Sequence, residues 1–329
     1  MQTADPLSRF RDRLRLPLVA APMFLVSGVE LVAAACLNGV IGAFPTVNCR
    51  SSDELDHWLS EIKSRLRDQN AAPVCPNLIV HRSNARLAED LKVLLRHQCE
   101  LVITSVGSPA PVLKPLHEAG AVVLADVASI RHAERAIEAG ADGLVLLTAG
   151  AGGQTGWLNP FAFVRAVRTF FAGPIVLAGG ISDGQALRAA EVLGCDLAYM
   201  GTKFIATRES MADARYKAML VQSSADDVLL TTAFTGLQTN MLKPSIVAAG
   251  LDPDNLPARG AIDIASDIDI AAREARPKRW RDIWSAGHST SGVTDVPAVA
   301  ELVARTMAEY RGAHIDARDD PPARAQPFV

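Results

Sequence analysis

The sequence contains eight short apolar segments separated by stretches with helical periodicity, and this alternation limits what the chain can fold into. Each segment is too short to cross a membrane and too uniformly apolar for a sheet with one face in water. We therefore interpret each as a strand buried on both faces. The predicted strands are residues 16–23, 39–46, 73–80, 101–107, 121–127, 143–150, 174–180 and 197–204.

The segments between the strands repeat apolar residues at spacings of three and four, as amphipathic helices do. A strand followed by a helix, repeated about eight times, predicts parallel strands joined by right-handed crossovers. The strand count and the chain length favour an α/β fold closed into a (β/α)8 TIM barrel over an open doubly wound sheet. Four glycines stand where a helix is expected to end, and they are Gly120, Gly140, Gly173 and Gly194.

The pattern of strands and helices divides the chain into a barrel and an insertion. We expect the barrel and its closing helix to occupy residues 1–207 and 277–313. Residues 208–276 have too little apolar content for a core of their own, and we predict a small, mostly helical insertion after the eighth strand, on the substrate side. The Pro-, Arg- and Asp-rich residues 314–329 are expected to form a flexible tail.

Composition excludes several classes of function. The net charge is −3 and the pI is about 6.2, so neither nucleic acid nor a membrane surface is an expected partner. The five cysteines form no Cys-x-x-Cys pair, which argues against a zinc site or a disulfide framework. Residues 1–15 lack the apolar run of a secretory signal. We expect a cytoplasmic protein with a small-molecule substrate, and a homodimer is left open.

The strongest candidate binding residues are glycines at the ends of the last two strands. Gly179 and Gly180 follow the seventh strand, and Gly201 and Thr202 follow the eighth. In TIM barrels these two loops form the usual phosphate site, because glycine lets backbone N–H groups approach closely. A helix starting near Asp183 would add the positive end of its dipole. Ordinary tight turns are the alternative.

A glycine-rich loop, residues 150–156, follows the sixth strand on the same face and contains Gly152, Gly153 and Gln154. It can wrap a phosphate. It also imitates a dinucleotide-binding fingerprint, but it lies in mid-chain and lacks the acidic residue about 20 positions further on, which disfavours a Rossmann fold.

Other strand ends carry further candidates. Ala21, Pro22 and Met23 end the first strand, and Asn77 ends the third. The amide of Asn77 can contact a ligand or serve as a satisfied turn residue. Asp126, at the end of the fifth strand, can contact a ligand or cap the helix that follows.

Five segments in this order resemble the nitronate monooxygenase (2-nitropropane dioxygenase) family of FMN-dependent TIM barrels: 21–23, 126–156, 178–181, 200–204 and 285–287. The resemblance implies an FMN-dependent oxidoreductase that oxidises alkyl nitronates with oxygen. The family also contains NAD(P)H-dependent quinone reductases and enoyl reductases. The candidate FMN-binding residues are Ala21, Pro22, Met23, Asn77, Asp126, Gly152, Gly153, Gly179, Gly180, Gly201 and Thr202.

The sequence departs from the family at two positions. Nitronate-oxidising members carry a catalytic histidine in the glycine-rich loop, where this chain has Gln154. A glutamine amide forms hydrogen bonds but cannot relay a proton near neutral pH. The family's Ser-Ala-Gly loop usually continues with glutamine, and here His288 takes that place. We hypothesise an exchange of catalytic roles, in which His288 supplies the titratable group and Gln154 orients the substrate.

Three alternative functions are compatible with the sequence. In the first, NAD(P)H reduces FMN, which then passes electrons to a quinone or an activated alkene. The second is a flavin-free lyase or isomerase that acts on a sugar phosphate, for which Lys203 and Asp126 are the only candidate central residues. The third is a catalytically silent binding protein that kept the pocket after losing the histidine.

Overall fold

Eight parallel strands close into a barrel in the computed structural model, which describes residues 5–256 and 283–313. The last barrel strand pairs with the first through Tyr199 and Val19, which completes the ring. Every barrel strand lies within a segment predicted from the sequence, so the TIM-barrel prediction is confirmed. The strands are β1 (Leu18–Ala20), β2 (Ile41–Pro45), β3 (Val74–Ile79), β4 (Leu101–Ser105), β5 (Val122–Val127), β6 (Gly143–Leu147), β8 (Ile175–Ala178) and β9 (Leu197–Met200).

Helices connect successive barrel strands, as the apolar spacing predicts. Seven of them are α1 (Val29–Leu37), α2 (Ser52–Leu66), α3 (Leu87–Arg96), α4 (Ala110–Glu118), α5 (Ile130–Ala139), α6 (Pro160–Val167) and α7 (Gly184–Leu193). After β9 come α8 (Thr202–Ile205), α9 (Ala214–Gln222), α10 (Lys243–Ala248) and a closing helix, α11 (Val299–Gly312). None of the helices in the described residues is long and apolar enough to cross a membrane.

Three of the four predicted helix-ending glycines do end helices. Gly140 and Gly194 terminate α5 and α7 in the left-handed conformation, with φ of +100° and +106°. Gly120 follows α4 with φ of +78°. The prediction for Gly173 is wrong, because α6 already ends at Val167 and is capped by Arg168, whose backbone N–H bonds back to the helix. Gly173 is reached only after a further stretch of irregular loop.

Side chains alternate along each barrel strand, and every second one points into the barrel. Below the mouth these inward residues are apolar and buried, for example Val19, Ile103 and Val176. Phe10 belongs to the same cluster. It lies on a short 3-10 helix, Ser8–Arg13, that covers the amino ends of the strands. Among the described residues the barrel is therefore filled and closed at its amino end, which leaves the carboxyl ends of the strands for a ligand.

The insertion contains an antiparallel pair of strands besides its helices. β10 (Val228–Thr231) pairs with β11 (Thr239–Leu242). β11 also pairs with β7 (Gly153–Gln154), a two-residue strand in the loop after β6. The sequence predicted helices here and missed this three-stranded sheet. Residues 257–276 of the predicted insertion and the predicted tail, 314–329, lie outside the described residues.

The closing helix α11 packs directly on α7 at Gly184. A Cβ atom added at Gly184 would collide with the backbone of Thr306 and Tyr310. We expect Gly184→Ala to lower the free energy of unfolding by about 3 kcal/mol. The collision is with backbone atoms, so it can be relieved only if α7 and α11 move apart. The midpoint of urea unfolding measures the loss.

Gly312→Ala is the matched control, because a Cβ added there meets nothing within 4 Å. Its stability should equal or slightly exceed that of the wild type, since alanine favours helix. Equal midpoints for the two variants would contradict close packing of α7 on α11.

Candidate active site

The floor of a cavity at the barrel mouth is made by one side chain from the end of each barrel strand. The cavity volume is about 300 Å³. The inward alternation continues to this last layer, but half of the residues in it are now polar. The floor residues are Ala21, Pro45, Asn77, Ser105, Asp126, Leu147, Ala178 and Tyr199.

The polar floor residues are only partly satisfied by one another. The Ser105 hydroxyl donates to Oδ1 of Asn77 at 2.7 Å. Oδ1 of Asp126 and the hydroxyl of Tyr199 are buried and have no hydrogen-bond partner among the described residues. Burial raises the pKa of Asp126 to about 7, against the opposing effect of a hydrogen bond with Asn77. Unpartnered buried polar atoms are costly, so this floor suits a ligand with polar atoms.

Asp126 has no part in capping the helix that follows. It lies inside β5, and α5 is capped by Ser129, whose hydroxyl accepts the N–H of His132 at 3.2 Å. The capping alternative is therefore wrong.

One wall of the cavity is backbone, because several glycines bring loops together without side chains between them. A Cβ at Gly179, where φ is +127°, would lie 2.5 Å from the hydroxyl of Thr148. A Cβ at Gly152 would lie 2.7 Å from the nitrogen of Gly287. The Gly287 N–H in turn donates to the Thr202 hydroxyl at 3.0 Å. Beside this wall Gly180 faces open space, and a Cβ at Gly201 would lie in ordinary contact with Ala21 and Met23, at 3.6 and 3.7 Å.

Two N–H groups at the start of α7, where the helix dipole was expected to help bind a phosphate, are not free to do so. They are already bonded, that of Ala186 to Asp183 at 2.7 Å and that of Gly184 to Glu309 at 2.9 Å. Two carboxylates thus occupy the positive end of this helix dipole, where a phosphate was expected. Any phosphate in the cavity would be held by loop backbone instead.

A second wall is the loop between β1 and α1, and Asn48 fixes its shape. The Asn48 amide donates to the carbonyl oxygens of Met23 and Ser27, at 3.0 and 2.9 Å. Its Oδ1 accepts the N–H of Leu25 at 2.9 Å. Leu25 has φ of +58°, a conformation uncommon for leucine. Asn48 holds this loop in place while Pro22 and Met23 line the cavity.

The insertion covers the mouth and ties down the loop that carries Gln154. Gln154 pairs with Thr239 across β7 and β11. Asn240 on β11 donates its amide to the carbonyl oxygen of Ala151 at 2.7 Å, and the Thr155 N–H donates to the carbonyl oxygen of Gln238 at 3.0 Å. Gln154 lines the cavity from this fixed position.

Aromatic residues complete the upper wall. Tyr216 from α9 stacks on Trp284 with ring centroids 4.9 Å apart and planes 10° apart. The Tyr216 hydroxyl donates to the carbonyl oxygen of Ser285. Leu237 adds a further apolar surface. The upper cavity therefore has a large aromatic and aliphatic surface, beside which Gln154, Thr235 and Ser289 supply polar groups.

All the residues predicted to hold FMN line this one cavity, and so does Gln154. His288 does not. The residue is exposed, and its ring lies beside Gly150, where an added Cβ would be 2.8 Å from Nδ1. The backbone N–H of His288 donates to the Gly150 carbonyl oxygen at 2.9 Å. Lys203 is likewise absent from the lining. The FMN contacts and the roles of Gln154 and His288 stay predictions.

Sequence reasoning missed Tyr199, Asn48 and the aromatic pair. Tyr199 had a usable signal, because it is a polar-tipped residue at an inward position of an otherwise apolar strand. Trp284 directly precedes the matching segment 285–287, which could have pointed to it. Asn48 reaches the site through contacts with residues distant in sequence, and the local sequence around it shows no pattern.

Comparison with known proteins identifies the family. The sequence model described as nitronate monooxygenase matches residues 10–309. This chain belongs to the nitronate monooxygenase family. A nitronate monooxygenase of Paraburkholderia phytofirmans is 28% identical over 340 residues, covering 90% of this chain and 92% of that protein.

Solved structures agree with the family assignment. A nitroalkane oxidase of Streptomyces ansochromogenes matches with 25% identity and a TM-score of 0.78, over 93% of this chain and 99% of that one. FabK of Thermotoga maritima shows the same fold, with 22% identity and a TM-score of 0.75. The match covers 94% of this chain and 97% of the FabK chain. This member of the nitronate monooxygenase family is an enzyme, an oxidoreductase.

Asn48→Ala is expected to lower the free energy of unfolding by about 3 kcal/mol, because it removes three hydrogen bonds from a buried side chain to backbone groups of the β1–α1 loop. Asn38→Ala is the matched control, since Asn38 makes one such bond, to the Ala34 carbonyl oxygen at 2.8 Å. Asn38→Ala should lower the free energy of unfolding by about 1 kcal/mol. Urea unfolding measures both losses, and faster amide hydrogen exchange at Leu25 should accompany only the first. Equal losses would show that Asn48 does not clamp the loop.

Proposed function

We propose that this enzyme is an FMN-dependent oxidoreductase that oxidises alkyl nitronates with oxygen. The observation that carries the proposal is the division of the cavity into a floor with four polar residues, a glycine-lined wall and an upper wall with aromatic surface. FMN has matching parts: a flat ring with one polar edge, and a phosphate. The buried, unpartnered atoms of Asp126 and Tyr199 fit the polar edge of such a ring.

The proposed contacts follow from this division. The backbone at Gly179, Gly180 and Gly201, with the Thr202 hydroxyl, would hold the phosphate, because N–H groups without side chains can approach it closely. The β1–α1 loop, through Pro22 and Met23, and the backbone at Gly152 and Gly153 would contact the ring. When bound, FMN supplies the electron-accepting group that protein side chains lack.

The proposed reaction needs no acid–base catalysis from the protein, and few titratable side chains line the cavity. A nitronate is already an anion, so no base is needed to remove a proton from carbon. Among the described residues that line the cavity, Asp126 is the only carboxyl group, and no histidine, lysine or arginine is present. The Gln154 amide can donate a hydrogen bond to a nitronate oxygen. Trp284 and Leu237 would receive the alkyl group and exclude water.

An NAD(P)H-dependent quinone or enoyl reductase is the second candidate. It is favoured by the amide at Gln154, since hydride transfer to a flavin does not need a histidine there. The flavin-free lyase or isomerase is disfavoured, because of its two candidate central residues only Asp126 lines the cavity and Lys203 does not.

The decisive experiment separates these activities. The purified protein, loaded with FMN, is mixed with propyl-2-nitronate under oxygen, and separately with NADH or NADPH without oxygen. We expect oxygen uptake with the nitronate and no bleaching of the flavin absorption by either nucleotide. Bleaching by a nucleotide without nitronate turnover would establish the reductase. A protein that takes up no FMN would overturn both.

A pair of leucine substitutions tests the cavity as the FMN site. Gly201→Leu fills the cavity, because the nearest atoms to an added Cβ are those of Ala21 and Met23, at 3.6 and 3.7 Å, and both residues line it. The FMN Kd should rise at least about 10-fold. Gly312→Leu, outside the cavity, should leave the Kd unchanged. Equal affinities in fluorescence titration would place FMN elsewhere.

The position of His288 bears on the exchange of roles hypothesised from the sequence. Because its side chain lies outside the cavity, His288→Ala should leave the pH profile of kcat/KM unchanged between about pH 6 and 7. Gln154→Ala should lower kcat/KM through loss of the substrate contact. Disappearance of an inflection in the His288→Ala profile would instead support a catalytic role for the histidine.

A further inference from the structure

The cavity floor contains an acid that no basic group balances. Asp126 points inward from the end of β5, and its Oδ1 is buried without a partner in the described residues. No lysine, arginine or histidine of the described residues lines the cavity. An ionised carboxylate in such surroundings would be both desolvated and unpaired, which is the costly arrangement for a buried charge.

The groups around Asp126 are donors or neutral side chains. From β3, Asn77 bonds with it and Cys75 lies beneath. From β9 comes Tyr199, whose hydroxyl is the other unpartnered atom. Ser105, from β4, already donates to Asn77.

None of the titratable neighbours ionises near neutral pH. Burial raises the pKa of Cys75 and of Tyr199 well above their usual values, and nearby Asp126 raises both further. Tyr216, across the cavity, also has its pKa raised by burial. Asp126 is therefore the one group of this set whose charge changes near neutrality.

We propose that Asp126 contacts the bound flavin in its un-ionised form, as a hydrogen-bond donor from the floor of the cavity, with the Tyr199 hydroxyl as a second polar contact. The inference rests on the proposed FMN site. A carboxylic acid kept neutral by an apolar site can donate a hydrogen bond that a carboxylate cannot. Flavin that displaces water from the cavity also removes the solvation of a charged Asp126, which further favours the neutral form.

The sign of the pH dependence follows from linkage. The pKa of Asp126 is about 7 before the ligand binds, and binding raises it because the ligand selects the protonated form. Binding is therefore strongest below pH 7 and weakens as the pH rises through 7, by about 10-fold per unit. The weakening stops only above the raised pKa of the complex.

The test measures the Kd of riboflavin for the full chain by fluorescence quenching from about pH 5.5 to 9. Riboflavin is the probe because it lacks the phosphate, whose own titration would obscure the result. The wild-type Kd should rise about 10-fold per unit above pH 7. Asp126→Asn keeps a donor but cannot titrate, so its Kd should stay constant. Asp126→Ser, which also keeps a donor, serves if the asparagine variant does not fold.

Tyr199→Phe is the matched control. It removes the second floor contact without removing the titrating group, so its Kd should be raised at every pH while the wild-type slope remains. A purely structural role for Asp126 would change the affinity of Asp126→Asn without removing its pH dependence.

The outcomes separate the inference from the proposed function. Tight riboflavin binding with the same pH profile in the wild type and Asp126→Asn overturns the inference and leaves the FMN site standing. A wild type that binds neither riboflavin nor FMN removes both. A pH dependence that is present in the wild type and Tyr199→Phe and absent from Asp126→Asn supports the inference.

Discussion

The alternation of side chains along closed parallel strands is the constraint on which this structure depends. Inward residues must fill the barrel wherever it is covered, and here they are apolar up to the last layer. That last layer alone faces a cavity, and there Asn77, Ser105, Asp126 and Tyr199 replace aliphatic residues. The site thus arises where polar residues replace apolar ones at the last inward positions of the strands. The close-packed apolar layers below hold these polar residues rigidly in place.

The fold was predictable because its signals are local. Buried parallel strands form continuous apolar runs, and the helices between them keep their own period, so all eight barrel strands could be placed from the sequence. Glycines at strand ends likewise pointed to the cavity wall. The β7–β11 pairing was not predictable, because Gly153 and Asn240 are far apart in sequence and each stands in a short, mixed segment.

The site was predictable only for residues that belong to a motif. His288 shows the limit, because adjacency to a matching Ser-Ala-Gly segment did not bring its side chain to the cavity, whereas its neighbour Ser289 lines it. Asn48 belongs to no motif, yet it shapes the site, because it holds the folded β1–α1 loop through hydrogen bonds. The environment of Asp126 is likewise a property of the closed barrel, because its neighbours come from separate strands.

The short β7 strand also determines how the enzyme can be recombined with its relatives. One strand of the sheet over the mouth comes from a barrel loop and two come from the insertion, joined by main-chain bonds and the Asn240 amide. A chimera that takes residues 208–256 from a relative but keeps its own 151–155 would have to pair β7 of one protein with β11 of the other. The smallest exchangeable unit at the mouth is therefore discontinuous in sequence, and a crossover should transfer both pieces together.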